Sequence, residues 1–392
     1  MYSTDFSTFL SEQGDIVTMV TGFPYYPSWK KHCEDKGVLF RKEVFKGIRL
    51  LRGYLYVPHK VTPIKRIMHE ATFCLFAFLN FLRAGRQDAI VVFSPPFLLG
   101  FVGKIFAILW RCPLVINIQD LPLDAATSLG MVNKGFISKI LSLMERWIYS
   151  NATEVVTISE RMLDSVRTKV ECPEKIGVIP NWIDIRCSQG IISGKFRETH
   201  SILKDKFLVV YAGNLGVKQG LDCLLYLAKK MESDRRFHFL LIGNGADKSR
   251  LLKISDELQL HNTIFLDLLA PDAYKEMLVD VDLVFIAQRM GGGDNFFPSK
   301  VLGVMAQGKP LLVAADLNSE LARSIVKWNC GSVVSYSDLN ELVKQLKNLS
   351  EDNATLQNFG LNGFSSVNSF DRSYVLNKWR NKICNLVNVS KN

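Results

Sequence analysis

The chain has no CxxC pair, no HxxxH or HExxH spacing and no apolar run of spanning length, and each absence removes a class of protein. Its eight cysteines (Cys33, Cys74, Cys112, Cys172, Cys187, Cys223, Cys330 and Cys384) are scattered over 392 residues. That scatter argues against a zinc ribbon or a disulfide scaffold and for a reducing compartment. The six histidines have no ligand spacing, so no metal is expected. The two greasiest stretches are residues 64–86 and 97–111. The first has basic residues at both ends and Lys104 splits the second, so neither reaches the ~20 uninterrupted apolar residues of a spanning helix. Residues 1–14 are polar and amphipathic and lack the apolar heart of a signal peptide. No Ser/His/Asp or Cys/His set has a recognisable spacing. No zinc finger, RRM signature or interleaved basic and aromatic run is present, so no nucleic acid partner is expected.

What remains is a globular balance, 48% hydrophobic and 22% charged. At about 150 residues per domain the length calls for two or three. The formal net charge of +10 is concentrated: residues 30–111 hold 15 Lys/Arg against 5 Asp/Glu, the whole excess. That basic segment also carries both greasy stretches. Two readings stand: a pair of helices packed in a core, or an interfacial helix with a basic rim on anionic lipid.

Short apolar runs alternate with amphipathic stretches. Strands are expected at 16–21, 89–93, 113–118, 154–158 and 175–179, and again at 207–212, 237–242, 263–266, 283–286, 310–313 and 331–334. Helical periodicity fills most gaps, as at 221–231, 339–349 and 374–387. The alternation indicates α/β architecture with parallel sheets in both halves. A break at Pro180-Asn181-Trp182-Ile183-Asp184, followed by polar residues to about 206, places the domain boundary. The expected division is 1–182 and 183–373, with a final helix near 374–392 returning to the first domain. Two doubly wound domains of this kind would face a shared cleft. The first helix-like stretch, 6–13, precedes any strand, so the first strand of the amino-terminal domain is expected to be missing.

Two glycine-bearing motifs carry anion-binding chemistry. In Tyr211-Ala212-Gly213-Asn214-Leu215-Gly216-Val217-Lys218-Gln219-Gly220 a buried strand runs into a turn and a helix. Glycines let backbone N–H groups approach a phosphate, and Lys218 adds a point charge. In Asp294-Asn295-Phe296-Phe297-Pro298-Ser299-Lys300, Pro298 suits a first helical turn, with Ser299 and Lys300 placed to hold an anion. Gly243 in Gly243-Asn244-Gly245 marks a close-approach turn. On the amino-terminal side Asp120 follows a buried strand and is a candidate carboxylate, or a turn aspartate. Tyr25 and Tyr26 also follow a strand and could line an acceptor groove, or form a simple aromatic turn. Asp280-Val281-Asp282 has the form of a metal-binding DxD but lies in apolar company.

Taken together, VIPNWID, YAGNLGVKQGL, LIGNGAD and FPSKVLGVMAQGKP resemble, in order and spacing, the GT-B glycosyltransferases of family 4. That class is retaining and nucleotide-sugar-dependent. The likeness runs from about residue 14 to 379. Within the class the chain is similar to bacterial colanic-acid and O-antigen transferases, including those of L-fucosamine type. It departs from the family pattern where Asn295 and Gly303 replace glutamates, where Asn214 and Gln219 replace an Arg and a Lys, and where Gln119 replaces a histidine.

The resemblance implies two Rossmann-like domains. A nucleoside diphosphate sugar would be held by Gly213, Asn214, Gly216, Lys218, Gln219, Gly243, Asp294, Pro298, Ser299 and Lys300. Asp120 and Lys300 would act in catalysis, with Tyr25 and Tyr26 on the acceptor side. It implies no metal cofactor, a lipid-linked saccharide acceptor of undecaprenyl-diphosphate type, and a peripheral position at the cytoplasmic face of the inner membrane. The alternatives are a same-fold sugar-nucleotide epimerase or phosphorylase, a non-catalytic nucleotide-sugar-binding subunit, and a metal-dependent transferase using Asp280 and Asp282.

Overall fold

The computed structural model describes residues 2–25, 29–58, 62–121, 136–170, 172–185, 193–200, 203–289 and 300–391. The chain divides into two units, Met1–Asn181 with Val375–Asn392, and Trp182–Tyr374.

The first unit runs α1 (Tyr2–Glu12), β1 (Thr18–Gly22), β2 (Phe40–Phe45), β3 (Ile48–Gly53), α2 (Pro63–Ala84), β4 (Ile90–Ser94), α3 (Leu99–Trp110), β5 (Leu114–Ile118), α4 (Phe136–Asn151), β6 (Glu154–Thr157), α5 (Glu160–Arg167) and β7 (Ile176–Val178). Its described strands form two sheets, β1-β3-β2 and β4-β5-β6-β7. The second is parallel throughout. In the first, β1 is parallel to β3 and β2 antiparallel to it. β1 and β4 each end their sheet, where a doubly wound sheet would run on unbroken. One core nonetheless joins them: Leu51 of β3, Val20 of β1, Val92 of β4 and Phe106 of α3 share a cluster.

The hairpin β2–β3 is absent from the sequence expectation. Its charges, FRKEVF and IRLLRG, mask the strand pattern. The signal that was present is the two-residue turn Lys46-Gly47, both at positive φ (48° and 77°), as a tight hairpin requires. Charge on β2 suits a sheet edge, where it discourages pairing with another chain.

The second unit runs α6 (Lys195–Thr199), β8 (Phe207–Ala212), α7 (Asp222–Lys230), β9 (Phe237–Ile242), α8 (Lys248–Glu257), β10 (Thr263–Leu266), α9 (Pro271–Asp280), β11 (Leu283–Ala287), α10 (Lys300–Ala306), β12 (Leu311–Ala315), α11 (Glu320–Trp328), β13 (Gly331–Ser335), α12 (Leu339–Glu351) and α13 (Asn353–Val367). The described strands make one parallel sheet, ordered β10-β9-β8-β11-β12-β13. Its central strands are buried along their length, as strands covered on both faces must be. The order reverses between β8 and β11, the point at which open α/β sheets take ligands at the carboxyl ends of their strands. Helix α6 lies inside the stretch expected to be a linker. Its presence follows from a tertiary contact, because the Asp280 carboxylate accepts the backbone N–H groups of Phe196 and Arg197 at 2.8 and 3.1 Å.

The last helix, α14 (Arg372–Lys391), belongs to the first unit from Val375 onward. Trp379 is buried against Phe6 of α1, ring centroids 5.7 Å apart, and Arg380 grips Asp15 at 2.7 and 3.2 Å. Burying an aromatic of this size contributes about 3 kcal/mol, more than the half-exposed ion pair, whose kind contributes about 0–1 kcal/mol.

Candidate functional site

The site at the carboxyl ends of β8 and β11 is built by interlocked turns. Strand β8 ends at Ala212 and the chain turns at Gly213, whose φ is 140°. The Gly213 N–H donates to the Ile242 carbonyl at 2.7 Å, and the Gly243 N–H to Leu266 at 2.9 Å. The Leu215 N–H donates to Asn244 and the Asp247 N–H to Leu215, both at 2.9 Å. The two turns pack so closely that a Cβ on Gly243 would overlap the Gly213 carbonyl. A side chain on Gly213 would fall on the Lys300 ammonium.

Lys300 opens α10. Its Nζ donates to the Tyr211 hydroxyl at 2.8 Å and lies 4.7 Å from the centre of that ring. The Tyr211 hydroxyl in turn donates to the Asn214 carbonyl at 2.7 Å. Burial pushes the Tyr211 phenol up, which keeps that proton in place. Burial pushes Lys300 down, to about 8. An ammonium with little solvent around it is best stabilised by an arriving anion.

A second network braces the outer rim. The first helical turn after Gly216 is a 3-10 turn, Val217–Gln219, and α7 starts only at Asp222. The Lys218 carbonyl accepts the Arg289 N–H at 3.0 Å, which ties the end of β11 to the glycine turn. The Tyr336 hydroxyl lies 3.1 Å from the Gly220 carbonyl and 3.2 Å from Asp222. Arg250 and Arg289 flank Asp222 at 3.5 and 3.7 Å. Gln219 presents a buried Oε1 with no hydrogen-bond partner among the described residues.

The structure therefore brings Gly213, Asn214, Gly243 and Lys300 together. Gly216, Lys218 and Gln219 lie along the same turn, with the Lys218 side chain exposed. Asp294, Pro298 and Ser299 lie outside the described residues, as does Tyr26. In the first unit Asp120 follows the carboxyl end of β5 and accepts the Leu121 N–H at 2.9 Å. Tyr25 follows the carboxyl end of β1. The sequence reading gave no role to Tyr211, Asp222, Arg289 or Tyr336. The available signal was a tyrosine next to the end of an otherwise apolar strand, because a buried hydroxyl needs a partner.

Asp280 and Asp282 are engaged by backbone N–H groups and an arginine. Asp280 is buried and accepts the N–H groups of Gly194, Phe196 and Arg197, and Asp282 takes the Leu208 N–H and Arg197 Nη2, both at 2.7 Å. Their lone pairs anchor α6 and β8, so the pair serves as a clasp.

Comparison with known proteins points the same way as the geometry. Residues 5–182 match the model of a glycosyl transferase 4-like domain, and residues 193–365 that of glycosyl transferases group 1. The chain is 28% identical over 330 residues to the putative colanic acid biosynthesis glycosyl transferase WcaI of Escherichia coli K12, covering 82% of this chain and 81% of that one. Among solved structures it resembles sucrose-phosphate synthase of Thermosynechococcus elongatus, with TM-score 0.76, 17% identity, and 99% and 93% of the two chains covered. It also resembles Anabaena HepE in complex with UDP and glucose, with TM-score 0.67, 16% identity, and 86% and 87% covered.

Proposed function

The chain belongs to the GT-B glycosyltransferases, and from that membership we propose that it moves a sugar from a nucleoside diphosphate donor, with retained configuration, to a lipid-linked glycan. The setting we infer is assembly of a surface polysaccharide, as the name of the colanic-acid relative suggests, at the cytoplasmic face of the inner membrane. Lys300 carries the reading. It is a poorly solvated ammonium beside a glycine with no side chain, at the point where the sheet order reverses. A leaving diphosphate develops negative charge as the glycosidic bond breaks, and a preorganised cation there lowers the barrier. Gly213 lets a phosphate reach the backbone, and Lys218 supplies a second charge from the rim. The cationic charge comes from lysines, so the reading needs no metal ion. In the first unit, Asp120 is the catalytic candidate and Tyr25 the acceptor-side one.

The lipid-linked acceptor is supported by the outer faces of α2, α3 and α4. Met68, Leu75 and Leu82 repeat every seven residues along α2, Ile105, Ile108 and Leu109 stand out from α3, and Ile140, Leu143 and Trp147 from α4, all exposed. The helices are neighbours: Phe81 stacks on Phe106, and Phe101 on Trp147 at 4.9 Å. Arg83, Arg86, Arg111, Lys139 and Arg146 lie exposed on or beside the same helices. Exposed apolar stripes with a basic rim suit an anionic bilayer surface. No described helix is long and apolar enough to cross a membrane.

The test is sugar transfer in a membrane extract by purified chain, with and without EDTA, using the Lys300→Ala variant as control. Transfer that persists in EDTA and falls ~100-fold or more in the variant supports the reading. Equal transfer by the variant overturns the role of Lys300.

A further inference from the structure

The first unit gathers a set of chemically capable side chains of its own. Tyr25 and Tyr56 each follow, by three residues, the carboxyl end of a strand, β1 and β3 respectively, and those strands are parallel neighbours. Ligands of parallel sheets collect at that edge. Between them lies buried His69 of α2, its Nδ1 2.5 Å from the Tyr56 carbonyl and its Nε2 3.2 Å from the Tyr25 hydroxyl. A carbonyl only accepts, so Nδ1 carries a proton, and in the neutral ring Nε2 accepts from the Tyr25 O–H. The Tyr25 ring is thereby braced in one orientation.

Trp29 completes the group. Its ring lies 5.3 Å from Tyr25 and 5.8 Å from His69, and the Arg66 guanidinium sits 6.0 Å from its centre, held by Glu70 at 3.0 Å. Trp29 has φ 52°, in the left-handed region that a bulky residue occupies only under constraint. The fold thus holds a half-buried indole in a strained backbone, braced by two rings and with a cation over one face.

That combination matches one ligand chemistry. The C–H face of a sugar ring lies against an aromatic plane, its hydroxyls meet a fixed polar rim, and a phosphate beside it finds a guanidinium. We propose that Trp29, Tyr25 and Arg66 form a subsite for a phosphorylated acceptor saccharide, the sugar ring stacking on Trp29 and its phosphate meeting Arg66. The proposal rests on the transferase reading, which requires an acceptor, and adds where and by what chemistry it is held.

Calorimetric titration of the full chain tests it. The probes are farnesyl-diphosphate conjugates of glucose, galactose, N-acetylglucosamine and N-acetylgalactosamine, with farnesyl diphosphate and the four methyl glycosides as separate arms. At least one conjugate is expected to bind more tightly than farnesyl diphosphate. Trp29→Ala should weaken it tenfold or more and Trp29→Phe less than threefold, with circular dichroism and melting of both variants unchanged. Arg66→Ala should weaken conjugate and farnesyl diphosphate together and spare the methyl glycoside. Absence of conjugate binding, unchanged affinity in Trp29→Ala, or farnesyl diphosphate binding as tightly as every conjugate would each overturn the subsite, the last showing lipid or anion capture alone. UDP and GDP titrations on the same samples separate the two readings. Nucleotide binding kept while the conjugates fail leaves the transferase reading standing, and nucleotide binding lost removes its basis.

Discussion

Lys300 and Tyr211, 89 residues apart in sequence, meet at 2.8 Å and join the start of α10 to the end of β8. The lysine depends on its surroundings for its charge, because burial lowers its pKa to about 8. That yields a pH dependence with a definite sign. The protonated form binds a diphosphate, so donor affinity should be highest below pH 8 and fall above it. For a site that binds only when protonated, apparent affinity scales with the protonated fraction, a loss of roughly tenfold between pH 7 and pH 9. The check is the donor Kd, or KM, across that range, repeated with Lys300→Arg, whose charge does not titrate there. A flat profile in the unaltered chain would remove the lysine from the donor contact.

Tyr211→Phe should loosen the same contact without dismantling the fold. It deletes the hydroxyl that accepts from Lys300 and donates to the Asn214 carbonyl, while the ring still packs in the core. The expected stability cost is about 1 kcal/mol. The expected kinetic signature is a donor KM raised several-fold, with the pH dependence moved, because Lys300 loses a neighbour. Steady-state kinetics against the nucleotide donor, alongside a thermal melt, distinguishes this from general damage.

Gly243→Ala tests the interlocked turns. Gly243 sits at φ 138°, and a Cβ there would overlap the Gly213 carbonyl. Backbone strain and displacement together should cost about 2–4 kcal/mol, or roughly 5–10 °C in the melting of the second unit. Donor binding should fall with it, because the displaced carbonyl belongs to the turn that faces Lys300. A melt within 2 °C of the unaltered chain would show that the turn can shift without cost.

The apolar faces of the first unit should govern vesicle binding. Ile108 and Leu109 are 65% and 64% exposed on α3. The double substitution Ile108→Glu, Leu109→Glu should leave the melt unchanged and reduce co-sedimentation with phosphatidylglycerol vesicles at least fivefold. Equal co-sedimentation of both proteins would detach the membrane reading from this face.

Much of the architecture was legible because it rests on local patterns. FLVVYA, FHFLLI and LVFIA are apolar on every residue or nearly so, as central strands of a covered parallel sheet must be. The turn glycines announced where the backbone had to approach something closely. Where charge overlay the pattern, as in FRKEVF before Lys46-Gly47, the strand went unread, because an exposed edge has no need of apolar alternation. Helix α6 was unreadable for another reason: five residues do not stabilise a helix by themselves, and its anchor, Asp280, lies more than 80 residues away.

The amino-acid order by itself determined the alternation of strand and helix, the basic segment and the places where glycine removes a side chain, because each follows from neighbours within a few residues. Only the tertiary structure decided which of those places meet. Tyr211 became the partner of Lys300, Asp280 and Asp282 became a backbone clasp, and Tyr25 became part of a nest with His69 and Trp29. Burial and directional hydrogen bonds between distant segments assign those roles, and neither property exists until the chain has folded.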